Sequence, residues 1–346
     1  MKKAILYAFV LSAILLFGGC GSTDAAQSDN TENPAEQKFL DYLDNTNTTG
    51  FIIQKDGEIV LEKYWRNGES KSANIASAGK SICSVLVGIA IDQGYLKLEY
   101  KISDYIGNGF SYMSTELEDT ITVESLLTMT SGLDDTLHES YVPNSSWEYS
   151  DAWNLLFSVL KEATGQDINS YAKLVLLDKL GMDDSYYKSS EFQLFIARGR
   201  NKPDYKDWDP YQIYCTPRDM LTFGQFILQQ GSWDGEQLVS KQYLEKALQP
   251  SSTYNPAYGY LFWLNGYVGG LSPSGGDPLE ADIIPNAPED LVAALGYADK
   301  KIYIIPSKNM VIVRSGGAAT DKEFAYTTFD NELWKQLNIL FEAMSW

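Results

Sequence analysis

One stretch constrains the fold more than any other. Residues 74–96 read NIASAGKSICSVLVGIAIDQGYL. After Lys80 come Ile82, Cys83, Val85, Leu86, Val87, Ile89, Ala90 and Ile91, which cover nearly every side of a helix with apolar groups. Such a helix is stable only inside a core, so the rest of the chain must surround it. A chain of 346 residues is long enough to do so. The lysine at the mouth of this helix is the anomaly. Burial strips hydration from an ammonium and favours the neutral amine, which can take a proton from a hydroxyl. Ser77 stands three residues earlier, on the same helix face. It lies near a helix N-terminus, where free N–H groups and the dipole favour a developing oxyanion. A serine, a base and an anion stabiliser are what acyl transfer requires. The competing reading makes Ser77 a helix cap and sends Lys80 to the surface. The segment alone does not choose between them.

Spacing by itself is weak, because Ser-x-x-Lys recurs at Ser158–Lys161, Ser170–Lys173 and Ser185–Lys188. Those three lie in amphipathic or polar stretches, where lysine is a solvated side chain. His138 is the single histidine and falls in the polar segment DDTLHES. A Ser-His-Asp triad would have to use it, so serine chemistry here is pushed towards a lysine or tyrosine base. Histidine, cysteine and carboxylates form no group with metal-ligand spacing. No metal and no cofactor is expected. Cys83 sits within the apolar helix as a small hydrophobe, and a bridge to Cys215 is open.

The ends of the chain read as strands. Thr49–Trp65 is two apolar runs split by Lys55-Asp56-Gly57, a hairpin signal. KKIYIIP and NMVIVRSG form a second pair, turning at Pro306-Ser307-Lys308-Asn309. Between them TVESLLTMTSGL, DAWNLLFSVLKEATG and TPRDMLTFGQFILQQG carry helix start and stop signals. The fold class is therefore α/β, of the α+β kind. Its centre is an antiparallel sheet from N- and C-terminal strands flanked by helices, with a mostly helical middle at about 105–250. The Gly- and Pro-rich stretch at 265–290 reads as a long loop.

The first residues read as a processing signal rather than as fold. MKKAILYAFVLSAILLFGGC has two lysines, an apolar run and then Gly-Gly-Cys20. Residues 1–19 are expected to be a signal peptide, and 20–37 a flexible tether beginning at Cys20. Residues 38–346 would be a single catalytic domain. The formal net charge is −19, which repels phosphate backbones, so no nucleic-acid partner is expected.

Taken together, these segments resemble the serine hydrolases of the class C β-lactamase superfamily. That group includes D-alanyl-D-alanine carboxypeptidases, esterases and 6-aminohexanoate-dimer hydrolases. Residues 74–96 look like the family's nucleophile helix. ITVESLLTMTSGLDD looks like its LLTHTSGL element, with Met129 in place of the histidine. SSWEYSDAWNLLFSVLKEATG looks like its Tyr-x-Asn segment, and YCTPRDMLTFGQFILQQGSWDGEQLVS and YGYLFWL match later elements. The likeness spans roughly residues 45–340. It implies a β-lactamase/transpeptidase-like fold, with Ser77 as nucleophile, Lys80 as base and Tyr149 as third member of the site. The opening stretch resembles a lipoprotein signal, which implies lipidation of Cys20 and a membrane-anchored place in a bacterial cell envelope.

Two departures bear on substrate. Tyr-x-Asn reads here as Tyr149-Ser150-Asp151, which puts an acceptor-only carboxylate in the site. It would hold Lys80 charged or meet an amine-bearing substrate. The family's Lys-Thr-Gly or His-x-Gly strand is replaced by LGYADKKIYIIP, with Tyr297-Ala298-Asp299 at the motif position, as in the aminohexanoate-dimer hydrolase branch. A backbone N–H near Tyr297 or Ala298 would complete an oxyanion hole with that of Ser77. The expected activity is hydrolysis of a small ester, amide or peptide through an acyl-enzyme. A D-alanyl-D-alanine carboxypeptidase or a β-lactamase is the alternative. A ligand-sensing lipoprotein without turnover is the reading from another class.

Overall fold

In the computed structural model, residues 33–189, 210–320 and 326–346 are described. The signal segment and Cys20 lie outside the described residues. Two hairpins supply most of the central sheet. β1 (Thr48–Lys55) and β2 (Glu58–Tyr64) meet at Asp56 and Gly57, whose φ values of 53° and 86° give the left-handed turn that matches strand twist. Further along come β3 (Trp263–Leu264), β4 (Val292–Gly296), β5 (Lys300–Ile305) and β6 (Met310–Gly316). They assemble an antiparallel six-stranded sheet in the order β2-β1-β6-β5-β4-β3. The terminal hairpins join where Phe51 pairs with Arg314 and Ile53 with Ile312. Their turns are also tied together, because the Asp56 amide donates to the Asn309 carbonyl at 2.9 Å.

Helices cover both faces. α1 (Pro34–Asn45) packs with the C-terminal α5 (Thr328–Met344), while α4 (Pro217–Leu228) lies on β5 and β6. α1 starts inside the stretch expected to be tether, with Pro34 as its first residue, a position where the missing N–H costs nothing. α2 (Gly79–Asp92) is the apolar helix, and every residue from Gly79 to Ala90 is buried. It packs on β4 and on α3 (Leu155–Thr164), whose end is fixed by left-handed Gly165 at φ 70°. The middle is not helical throughout. Tyr211–Cys215 pairs with both Ala73–Asn74 and Tyr186–Ser189, a small sheet that braces the entrance to α2. Pro34–Trp346 forms one compact unit.

Candidate active site

Ser77 lies in a 3₁₀ turn, Ala76–Ala78, directly ahead of α2. The turn is built by its neighbours. Asn74 Oδ1 accepts the Ala76 N–H at 2.7 Å, and Ala76 is held at φ 51°, a strained setting for a residue with a Cβ. Gly79 fits against Ile213, whose Cγ2 would lie 2.7 Å from an added Cβ. Gly296, the last residue of β4, fits closer still. A Cβ there would lie 2.2 Å from the Ile75 carbonyl oxygen and 3.2 Å from the Ala78 nitrogen. The end of β4 is thus pressed onto the serine turn, and Tyr297 and Ala298 follow it directly. Tyr297 is exposed and Ala298 is buried, with Ala298 at φ 56° and ψ 40°.

Lys80 Nζ donates to Ser77 Oγ at 2.9 Å, and the lysine is only 3% exposed. The surface-lysine reading therefore fails at this position. Ser77 is no helix cap either, because no side chain caps this turn or α2. Three further groups surround Lys80 Nζ. Asp151 Oδ1 is 3.8 Å away, and the rings of Tyr149 and Trp153 present their faces with centroids at 4.6 Å and 4.9 Å. A carboxylate and two ring faces thus hold the side chain beside the serine.

Tyr149 enters this cluster by its ring. Its hydroxyl is enclosed and has no hydrogen-bond partner among the described residues. The ring is set by aromatic packing, stacked on Trp263 with centroids 5.6 Å apart and edge-on to Tyr258 at 6.1 Å. Asp151 is fixed through its backbone, since its N–H donates to Asp135 Oδ1 at 2.8 Å. Asp151 also opens a 3₁₀ turn, Asp151–Asn154, that leads into α3. The preceding loop is held by polar contacts: Ser125 Oγ and Thr130 Oγ1 both donate to Asn144 Oδ1, at 3.0 and 3.1 Å. His138 belongs to another local structure. Its Nδ1 shares a hydrogen bond with Thr136 Oγ1 at 2.9 Å, and its ring stacks on Tyr112.

Ser77, Lys80, Tyr149 and Asp151 are thus brought together, with Tyr297 and Ala298 at the strand end alongside. Trp153, Trp263, Asp135, Asn74 and Gly296 were not singled out from the sequence. An isolated glycine at a strand end is a recognisable signal of close backbone approach. Two tryptophans among eight carry none. Cys83 and Cys215 are both free and buried. Burial raises the Cys83 thiol well above its usual range and pushes Cys215 up to about 12.

The fold and the family model together define the class: the β-lactamase-fold family of serine hydrolases. The family model described as Beta-lactamase matches residues 36–321, and the chain belongs to that family. An uncharacterized protein of Alkalihalophilus pseudofirmus is 26% identical over 304 residues, covering 81% of this chain and 86% of the relative. Esterase EstB of Burkholderia gladioli is 25% identical over 189 residues, covering 42% of this chain and 48% of the relative. Two solved structures share the fold at lower identity. A protein described as a 6-aminohexanoate-dimer hydrolase from Bacillus anthracis has a TM-score of 0.63 at 18% identity, covering 88% of this chain and 81% of its own. A family VIII carboxylesterase has a TM-score of 0.63 at 12% identity, covering 89% and 96%.

Proposed function

We propose that this chain hydrolyses a small carboxylic ester or amide through an acyl-enzyme on Ser77. The observation that carries this reading is the 2.9 Å hydrogen bond between Lys80 Nζ and Ser77 Oγ, made by a lysine enclosed in the core. In the acylation step Ser77 Oγ attacks the substrate carbonyl carbon while its proton passes to Lys80. The carbonyl oxygen gains charge and is met by the N–H of Ser77 and that of Tyr297 or Ala298. Collapse of the tetrahedral species expels the alcohol or amine, which receives a proton. Water then attacks the acyl carbon, and the same groups run in reverse. Tyr149 is the third member, acting in proton delivery to the leaving group once its hydroxyl turns towards it.

The match to Esterase EstB supports an ester as substrate. At the strand motif, Tyr297-Ala298-Asp299 offers neither the lysine nor the histidine that would face a β-lactam carboxylate, which disfavours a β-lactamase. The leader supports export, with Cys20 lipidated and the domain tethered to a cell-envelope membrane. A fluorophosphonate probe tests the chemistry. The expected result is one adduct by intact mass, on the peptide that carries Ser77, and none in Ser77→Ala. An unlabelled wild type that still binds a small ligand would replace the enzyme with a sensor. Cys20→Ala, released from the membrane fraction, tests the anchor. A panel of p-nitrophenyl esters, D-peptides and a chromogenic β-lactam fixes the substrate class.

A further inference from the structure

Behind the strand end that follows Gly296, the core holds four charges. Asp299, Lys301, Arg314 and Asp330 are each 0% exposed. Lys301 Nζ donates to Asp330 Oδ2 at 2.8 Å and lies 3.3 Å from Asp299 Oδ1. Arg314 Nη1 donates to the Asp299 carbonyl at 2.7 Å, and its Nε to Thr48 Oγ1 at 3.0 Å. The Asp299 carboxylate also accepts the Ala319 N–H at 2.9 Å and the Thr327 hydroxyl at 3.0 Å. Two cations and two anions balance, but a balanced buried cluster is a poor source of stability compared with apolar packing. What it offers is a fixed geometry.

That geometry is spent on an unfavourable turn. Ala298 and Asp299 both have positive φ, 56° and 59°, in succession. Neither is glycine, so the turn persists only where its surroundings over-determine it. Asp299 is gripped by both its carboxylate and its own carbonyl, from β5, β6 and the N-terminus of α5. The turn immediately follows Gly296 and packs against the Ala76–Ala78 turn that carries Ser77. We propose that Asp299 is a positioning residue for the reaction. The buried charge cluster locks the Tyr297–Asp299 turn in its left-handed form and so sets the backbone N–H groups beside Ser77. This inference rests on the proposed role of Ser77 and goes beyond it, because it assigns a function to groups that touch no substrate.

The test uses Asp299→Asn and Thr327→Val, with Asp299→Asn also combined with Ala298→Gly. Two readouts are taken well below each variant's melting temperature and normalised to folded protein. The first is the second-order rate of fluorophosphonate labelling. The second is hydrogen exchange of the peptide that spans Tyr297–Lys300. Loss of positioning is expected to slow labelling about tenfold in Asp299→Asn, and less in Thr327→Val, as misplaced oxyanion donors do. Exchange in the turn is expected to rise in both. Glycine at 298 removes the cost of positive φ, so the double variant is expected to regain part of the lost rate. A merely structural role would lower the melting temperature and leave labelling of the folded protein and exchange of the turn at wild-type values, and that result overturns the proposal. If Asp299→Asn does not fold, Thr327→Val alone decides in the same way. If wild type is not labelled, the reading of Ser77 has failed. The positioning role falls with it, and unchanged exchange in both variants would separately overturn the locking of the turn.

Discussion

Lys80 reaches Ser77 from inside the core: its Nζ sits 2.9 Å from the serine oxygen, while the lysine itself is 3% exposed. A solvated lysine would be held by water. This one is held by the hydroxyl, a carboxylate and two ring faces, so its contact with the serine is built into the fold.

Lys80→Met keeps the length and apolar stem of the side chain and removes the amine. It is expected to lower kcat/KM for an ester by about 10²–10⁴, the usual contribution of a positioned acid–base group. Circular dichroism should show the fold intact. Near-wild-type turnover in this variant would exclude Lys80 as the base.

The enclosed Tyr149 hydroxyl has no hydrogen-bond partner among the described residues. A buried polar atom without a partner carries a penalty of about 1–3 kcal/mol. Tyr149→Phe should therefore keep or raise the melting temperature, because ring packing on Trp263 is retained. Turnover should fall about a hundredfold if the hydroxyl serves proton transfer. Unchanged turnover would remove the hydroxyl from proton transfer and leave the ring as a packing group.

Asp151 places a carboxylate 3.8 Å from Lys80 and is itself partly exposed. It is expected to favour substrates that carry an amine. Asp151→Asn should lower kcat/KM for an amine-bearing ester relative to its neutral isostere by about tenfold, or ~1.4 kcal/mol, a fraction of an unscreened contact. An unchanged ratio of the two rates would remove Asp151 from substrate selection.

The hairpins, the buried helix and the Ser77–Lys80 pair were legible because each rests on a local signal: Asp-Gly between apolar runs, an all-apolar helix, and a charge where none belongs. The 3₁₀ turn at Ala76–Ala78 was not, since its strain is imposed from outside by Asn74 and Gly296. Tyr149 was placed in the cluster by its motif, but which end of the ring would face Lys80 depends on Trp263 and Tyr258, more than a hundred residues away. The small sheet at Tyr186–Ser189 and Tyr211–Cys215 was also missed. Its strands are short, and their pairing is set by tertiary contact more than by intrinsic preference.

Gly296 tests the contact between strand and serine turn. An added Cβ would meet the Ile75 carbonyl oxygen at 2.2 Å, a rigid backbone atom that cannot step aside. Gly296→Ala is expected to cost about 1–3 kcal/mol by overpacking. It should also lower activity about a hundredfold by moving the turn some tenths of an ångström to an ångström. Thermal melts and ester kinetics measure the two effects separately. Wild-type values in both would mean that the strand end does not fix the serine.

The two thiols contribute to the alkaline limb of stability. Cys215 is buried and its folded-state value is pushed from 9.0 up to about 12, with Cys83 raised in the same direction by burial. A raised folded value means that the native state keeps a proton which the unfolded chain releases. The associated stabilisation is complete below about pH 9 and is lost as pH climbs through about 12. Cys215→Ala removes this linkage but leaves a cavity. It should be less stable than wild type at pH 7, and the gap should narrow between pH 9 and 11 in urea melts. At neutral pH neither thiol should react with Ellman's reagent until the protein is unfolded, since the thiolate is the reactive form and both groups are enclosed. Rapid titration of one thiol in the native protein, or a stability gap that stays constant with pH, would show that these side chains are more accessible than their packing indicates.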